Sequence, residues 1–187
     1  VLSKTEFLDN EIPGLIVKLL PQSITKDKNI LGAILRDTDI LVDATRRRDA
    51  SKIIIPNSHI QYLPEHAVIL DLTCDPYNIK IGPIQIKGIE GIPTGTLDKY
   101  VIDVTDTLYD TIPLGVEKTN RRLVVSCNAW PGIQPKEAMA VYGKQLFPFI
   151  KALLDNGPDT LDIESDNLYE RALQRSSVDY FLNMNTI

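Results

Sequence analysis

Two carboxylates in one apolar run are the strongest candidates for chemistry in this sequence. The run 67–76 (AVILDLTCDP) carries Asp71 inside it and Asp75 near its end. A short apolar run between two prolines predicts a strand buried on both faces, as in parallel sheets. Ligands of such sheets bind beyond the carboxyl ends of the strands, where Asp75 is predicted to lie, so Asp75 is the candidate functional carboxylate. A carboxylate that caps the turn before Pro76 is the structural alternative, and for Asp71 a structural or interface role is favoured.

A second apolar run ends in the same way. The run 39–44 (DILVDA) is followed by Thr45 and by three arginines, Arg46 to Arg48. A guanidinium can clamp a phosphate or a carboxylate with two parallel hydrogen bonds, although such a run is more often a solvated loop. Two buried strands with polar residues beyond the same end predict one shared binding edge.

The elements that must position these residues alternate between strands and helices. We predict strands over Leu15–Leu20, 39–44, 67–76 and Arg122–Cys127, and helices over Asp27–Arg36, Ser58–Leu63, 135–157 and Leu168–Phe181. This alternation indicates an α/β fold with a Rossmann-like parallel sheet, flanking helices and right-handed crossovers. The alternating stretch 79–86 (IKIGPIQI) predicts a hairpin-like insertion, and the glycines after it are typical of turns rather than of a phosphate loop.

Composition narrows the classes of partner. A chain of 187 residues with a net charge of −5 is long enough for one domain with a small appendage, and its charge argues against nucleic acid. No apolar stretch approaches the roughly twenty residues that cross a bilayer, so no membrane is predicted. Both cysteines lie in apolar runs, which favours reduced thiols and a cytoplasmic protein. His59 and His66 have no carboxylate or cysteine at metal-ligand spacing, so no metal site is predicted.

These residues resemble a known superfamily. The DLTCDP run, followed by a strand and by the turn-to-helix sequence NAWPGIQPKEA, resembles the nucleotide-binding half of the alanine dehydrogenase, transhydrogenase and lysine-forming saccharopine dehydrogenase superfamily. The resemblance covers roughly residues 1–156. The sequences at 74–76 and 135–138 are closer to the saccharopine branch, and Pro131-Gly132 is closer to alanine dehydrogenase, so the branch stays open.

The resemblance implies a nicotinamide dinucleotide as the cofactor. Residues 1–3 would be the second strand of a Rossmann unit, and the first strand with its glycine loop would lie upstream, since no G-x-G-x-x-G occurs in this sequence. NAD-specific proteins carry an acidic residue after the second strand. Ser3 and Lys4 stand there instead, and a hydroxyl and an ammonium favour a 2′-phosphate. We therefore predict NADP(H), with NAD(H) as the alternative.

The resemblance also implies further cofactor-binding residues. Ala44 and Thr45 match the loop that lies over the cofactor, and Arg46 follows them directly. Asp75 matches an acidic residue near the nicotinamide and the substrate, which implies a catalytic role as a proton relay or as a partner of a substrate amine. The loop before the interdomain helix, which lies around the nicotinamide in the family, is matched by Asn128, Ala129 and Trp130.

Two functions from different classes follow. In the first, the chain is the cofactor-binding portion of an NAD(P)-dependent oxidoreductase that transfers hydride to or from an amino or imino acid. Its amino- or keto-acid substrate would be held by a separate domain, which in the family carries the acid–base Lys and His, so the isolated chain is expected to be inactive. In the second, the chain is a non-catalytic, degenerate nucleotide-binding module for regulation or assembly. Residues 1–157 are predicted to form a partial NAD(P)-binding domain and residues 158–187 a C-terminal helical tail, and the family implies a homodimer.

Overall fold

The computed structural model describes residues 14–184. The chain divides into two compact units, Val1–Trp130 and Pro131–Ile187. The predicted second strand, with Ser3 and Lys4, lies outside the described residues. Among the described helices, none has both the length and the apolar character that a bilayer span requires.

The first unit contains a sheet and three short helices. Its helices are α1 (Gln22–Thr25), α2 (Lys28–Arg36) and α3 (Asn57–Ile60). Its strands are β1 (Ile40–Asp43), β2 (Val68–Asp71), β3 (Val101–Ile102) and β4 (Leu123–Ser126), and a 3-10 turn covers Thr107–Thr111.

The four strands form one sheet in the order β1-β2-β4-β3. The pairs β1–β2 and β2–β4 are parallel, and the two-residue β3 is antiparallel to β4. The helix α3 lies on the connection between the parallel neighbours β1 and β2. The predicted α/β class with a Rossmann-like, mostly parallel sheet is confirmed. The hairpin-like insertion is also present, since Asn78 and Gln85 pair through two antiparallel backbone hydrogen bonds of 2.8 and 2.9 Å.

The core lies on one face of this sheet. Alternate strand residues point to the same face, and on that face Leu41, Ile69 and Val124 are buried together with Leu31 of α2 and Ile60 of α3. On the opposite face of β1, Ile40 and Val42 are about half exposed, at 57% and 47%. The polar residues that continue the core face at the ends of the strands are therefore buried as well, and they build the site described below.

The second unit is helical. It contains α4 (Pro135–Asn156), a 3-10 turn (Pro158–Thr160), α5 (Leu168–Arg175) and α6 (Val178–Met184). The helix α4 begins with Pro135, whose missing N–H would have no partner in the first turn, and ends before Gly157, which has a φ of +76°. Phe149 of α4 packs edge-on against Tyr169 of α5, with 5.0 Å between the ring centroids.

Two predicted elements differ from the structure. Residues 16–20 form no strand, and most of their apolar side chains are exposed, because no described strand lies beside them to complete a ladder. The last predicted helix is two helices. It breaks at Ser176-Ser177, where the Ser177 hydroxyl accepts a hydrogen bond from the Tyr180 N–H and so caps the start of α6.

The cap of α2 gives a test of the first unit. Asp27 Oδ1 accepts hydrogen bonds from Asn29 N at 3.0 Å and Ile30 N at 3.1 Å. We expect Asp27→Ala to lower the free energy of unfolding by about 1 kcal/mol, measured by urea denaturation. The control is Asp37→Ala, since an exposed carboxylate at the helix C-terminus opposes the helix dipole. Equal destabilisation by both changes would contradict the capping role.

Candidate functional site

A row of three buried polar side chains marks the carboxyl end of the parallel strands. Asp43, Asp71 and Ser126 are the last residues of β1, β2 and β4, and the strand register places them side by side. Their exposed fractions are 4%, 1% and 0%. A buried carboxylate is costly unless it is paired and hydrogen-bonded, so each aspartate in the row must find partners from outside the sheet.

One segment supplies the cation among these partners. We call Ile86–Ile89 the strap. Its backbone is held by hydrogen bonds from Ile86 N to Ala50 O at 3.1 Å, and from Ile54 N and Ile55 N to Gly88 O at 2.8 and 3.0 Å. The strap therefore lies along the segment that follows β1, and it brings Lys87 and Gly88 to the row.

Asp71 is the most heavily bonded residue of the row. Its Oδ2 pairs with Lys87 Nζ at 2.6 Å and accepts from Ser126 Oγ at 2.9 Å. Its Oδ1 accepts from Cys74 N at 2.9 Å and Thr73 Oγ1 at 3.0 Å. Burial alone would raise the pKa of Asp71, but the Lys87 ammonium and these hydrogen bonds hold the pKa below its ordinary value of 3.8. Asp71 is therefore an ionised, fully bonded carboxylate.

Asp43 is held in a similar way by the chain that follows it. Its Oδ1 accepts from Thr45 N at 3.0 Å and from Thr45 Oγ1 at 2.7 Å. Gly88 of the strap packs against the other oxygen, because a Cβ on Gly88 would lie 2.8 Å from Asp43 Oδ2. The absence of a side chain at residue 88 thus permits the strap to approach β1.

Arg47 joins the strap to the loop after β2. Its Nη2 pairs with Asp75 Oδ2 at 2.6 Å and also donates to Ile86 O, while its Nη1 donates to Lys52 O at 2.7 Å and Ala50 O at 3.2 Å. Its side chain is only 6% exposed. Arg47 is therefore a structural clamp, and it occupies one oxygen of Asp75.

An open pocket of about 420 Å³ lies beside this network. It is lined by the residues that follow β1 and β2, namely Ala44, Thr45, Arg46, Arg47, Ala50, Leu72, Thr73 and Asp75. The guanidinium of Arg46 is exposed here, in contrast to that of its neighbour Arg47. The pocket thus lies where ligands of open α/β sheets bind.

The hydroxyl groups of this pocket have a defined polarity. Thr45 Oγ1 and Thr73 Oγ1 both lie within hydrogen-bond distance of a carboxylate oxygen, on Asp43 and Asp71 respectively. In both contacts the threonine hydroxyl is the donor, so its single proton is directed to the carboxylate oxygen. Both threonine oxygens therefore offer only lone pairs to a ligand. Asp75 Oδ1 is a third acceptor, because no described residue donates a hydrogen bond to it.

The structure brings together four of the residues predicted from the sequence. Ala44, Thr45, Arg46 and Asp75 line the same pocket. Asn128, Ala129 and Trp130 do not line it. Trp130 Nε1 instead donates to the backbone oxygen of Asp71 at 3.2 Å, Asn128 N donates to Gly95 O, and Ala129 N donates to Cys127 Sγ.

Sequence reasoning missed the residues that hold the pocket. The sequence predicts Arg47 only as part of the arginine run and Gly88 only as a turn glycine, and it gives no role to Thr73 and Lys87. A signal for the row existed, since β1, β2 and β4 each end in a polar residue (ILVD, VILD, LVVS). No comparable signal pairs Lys87 with Asp71, because that contact depends on the path of the chain between them.

The described residues contain no group of three or more His, Cys, Asp and Glu side chains that could hold a metal ion. Both cysteines are free thiols, Cys127 buried and Cys74 half-buried. Burial raises the pKa of the Cys74 thiol.

Comparison with known proteins gives a partial likeness. The N-acetylmuramic acid 6-phosphate etherases of Staphylococcus aureus strains USA300, NCTC 8325 / PS 47 and COL are each 29% identical to this chain over 68 residues, which is 32% of this chain and 23% of the etherase. The chain thus spans less than a quarter of the length of these relatives. No family model and no solved structure matches the chain. A match of this extent concerns a segment and does not place the chain in a family.

The close approach of the strap can be tested at Gly88. We expect Gly88→Ala to lower the free energy of unfolding by about 1–3 kcal/mol, because its Cβ would overlap a carboxylate that two hydrogen bonds hold in place. Gly143→Ala is the matched control, since the structure leaves open space there and alanine is the better helix former. Urea denaturation measures both. A Gly88→Ala protein as stable as wild type would contradict the described contact.

The depressed pKa of Asp71 predicts a pH dependence. Its contribution to stability is complete above its unfolded-state pKa, near 3.8, and is lost as the pH falls through the lower folded-state pKa. Wild type should therefore lose more stability between about pH 5 and pH 3 than Asp71→Asn/Lys87→Met, in which this group no longer titrates. Urea denaturation at the two pH values measures the difference. The other carboxylates are common to both proteins, so equal losses would show that Asp71 contributes nothing.

Proposed function

We propose that this chain is the cofactor-binding portion of an NAD(P)-dependent oxidoreductase that acts on an amino or imino acid. The nicotinamide end of the dinucleotide would bind in the pocket beyond β1 and β2. The amino- or keto-acid substrate would be held by a separate domain. We further propose NADP(H) as the preferred cofactor, a homodimer as the assembly and the cytoplasm as the location, the last supported by the two free thiols.

The polarity of the pocket is the observation that carries this proposal. Thr45 Oγ1, Thr73 Oγ1 and Asp75 Oδ1 offer acceptors. A nicotinamide riboside presents matching donors, namely the ribose hydroxyls and the carboxamide NH₂. The pyrophosphate of a dinucleotide carries no proton that it could donate to these oxygens at neutral pH, and only the exposed Arg46 would favour it. The pocket therefore suits the sugar and amide end of a dinucleotide better than its pyrophosphate.

The position of Asp75 supports the same ligand. Arg47 holds one carboxylate oxygen and leaves the other at the pocket. A carboxylate oriented in this way can accept a hydrogen bond from a substrate amine beside the nicotinamide. We propose this role for Asp75 rather than that of a freely moving proton carrier, because its ion pair with Arg47 fixes its orientation.

The partial likeness provides a second candidate ligand. The relatives are etherases of N-acetylmuramic acid 6-phosphate by name. Hydroxyl groups of a sugar could donate to the same three acceptors, and the phosphate could pair with Arg46. The dinucleotide and the sugar phosphate would occupy the same pocket. A competition experiment between the two ligands therefore distinguishes them.

Binding of NADPH to the full chain, followed by the fluorescence of the reduced nicotinamide, tests the proposal. We expect Thr45→Val to weaken binding by about five- to tenfold through the loss of one hydrogen bond of about 1 kcal/mol. Thr105→Val is the matched control. Thr105 Oγ1 donates to Asp103 Oδ1, two residues back, as Thr45 does to Asp43, but Thr105 does not line the pocket.

The ligand series then identifies the end of the dinucleotide that binds. Reduced nicotinamide mononucleotide should compete with NADPH and should bind Thr45→Val more weakly than wild type, whereas 2′,5′-ADP, which lacks the nicotinamide end, should bind the two proteins equally. Displacement of NADPH by N-acetylmuramic acid 6-phosphate would favour the second candidate. Absence of any NADPH binding would overturn the proposed function and favour a non-catalytic module.

A further inference from the structure

We propose that the buried Asp71–Lys87 pair is a positioning device that holds residues 72–75 as one wall of the pocket. Neither member of the pair lines the pocket. Asp71 instead reaches the pocket through the turn that contains Thr73 and Asp75, which do line it. The identity of the ligand rests on the proposed function, but the positioning itself can be measured without a ligand.

The two carboxylate oxygens of Asp71 bind different parts of the unit. Oδ2 is bonded to the framework of the unit, namely Lys87 of the strap at 2.6 Å and Ser126 of β4 at 2.9 Å. Oδ1 is bonded to the turn that follows β2, namely Thr73 Oγ1 and Cys74 N. The carboxylate thus connects a fixed part of the molecule to the pocket wall, and the ammonium of Lys87 keeps it ionised and oriented.

The backbone of the turn has an unfavourable conformation at Cys74, which its surroundings must stabilise. Cys74 has a φ of +50° and is the only non-glycine residue with a positive φ among residues 14–184. A side chain other than glycine disfavours this conformation, which persists where the surroundings enforce it. The hydrogen bond from Cys74 N to Asp71 Oδ1 enforces it here, and in doing so it directs the flanking Thr73 and Asp75 towards the pocket.

Stability alone does not account for this pair. Both side chains are 1% exposed. Removing two charges from water is so costly that apolar residues of similar volume often stabilise a protein equally well. An apolar pair could fill the same space but could not accept the hydrogen bonds from Thr73 and Cys74. The pair is therefore suited to fixing the turn.

The test compares two double variants by the alkylation of Cys74. Asp71→Leu/Lys87→Met fills the space with apolar side chains and removes Oδ1, the oxygen that accepts both hydrogen bonds of the turn. Asp71→Asn/Lys87→Met also removes the charges but keeps an amide oxygen that can accept from Cys74 N and Thr73 Oγ1. Labelling by N-ethylmaleimide is read separately at Cys74 and Cys127 by mass spectrometry, and NADPH binding is measured on the same proteins.

We expect the Leu/Met variant to label at Cys74 at least about fivefold faster than wild type, because two hydrogen bonds that order the turn are lost. Cys127, at the end of β4, should keep its wild-type rate, and the Asn/Met variant should remain within about twofold of wild type at both thiols. NADPH binding should weaken in the Leu/Met variant and be restored in the Asn/Met variant.

The outcomes separate this inference from the proposed function. An unchanged Cys74 rate in a folded Leu/Met variant overturns the inference, and so does a parallel rise at both thiols, which indicates general loosening. A selective rise at Cys74 together with no NADPH binding by any protein supports the positioning role and overturns the proposed cofactor.

Should the Leu/Met variant not fold, Thr73→Val replaces it. It removes one bond to Asp71 Oδ1 and should raise labelling at Cys74 alone, and an unchanged rate again overturns the inference.

Discussion

The central constraint on this structure is the burial of aspartates at the end of a parallel sheet. Asp71 is 1% exposed, and a carboxylate in that position destabilises the fold unless a cation and hydrogen-bond donors reach it. Lys87 and Ser126 meet that requirement from two different segments. The position of the strap, the conformation of the turn after β2 and the opening of the pocket all follow from how this one requirement is satisfied.

A hydrogen bond from a threonine hydroxyl to a buried aspartate occurs at the ends of two neighbouring strands. Asp43 and Asp71 each accept a hydrogen bond from the threonine two residues later. This local motif is common in turns, and the chain repeats it at Asp103 and Thr105 on an exposed loop. At the carboxyl edge of the sheet it places two threonine hydroxyls, each of which donates to an aspartate, around one pocket. The polarity of the site thus comes from the environment of the motif and not from the motif alone.

Much of the fold could be predicted from local patterns in the sequence. Short apolar runs that end in polar residues identified β1, β2 and β4, and the helical spacing after Asp27 identified α2. The segment 16–20 shows the limit of such patterns, because an apolar run predicts a strand only if a neighbouring strand pairs with it. The break at Ser176-Ser177 depends on a single capping hydroxyl, which overrides the continuous apolar spacing across it.

The candidate site was predictable in its position but not in its bonding. The rule that ligands bind at the carboxyl ends of strands brought Thr45 and Asp75 to one pocket. It could not show that Arg47 occupies one oxygen of Asp75, or that Lys87 reaches Asp71 across a hairpin. Those contacts join residues 28 and 16 positions apart, and the sequence carries no periodic signal for them.

The shared register of Asp43, Asp71 and Ser126 also determines where this chain can tolerate changes in length. A strand that gains or loses one residue turns its last side chain to the opposite face of the sheet, which would separate a carboxylate from its partners. A change in the length of the hairpin between Asn78 and Gln85 does not shift the strands in this way, because the two ends of the hairpin are already joined by backbone hydrogen bonds. Insertions and deletions within that hairpin therefore leave the row of Asp43, Asp71 and Ser126 intact, whereas each parallel strand has to keep its length.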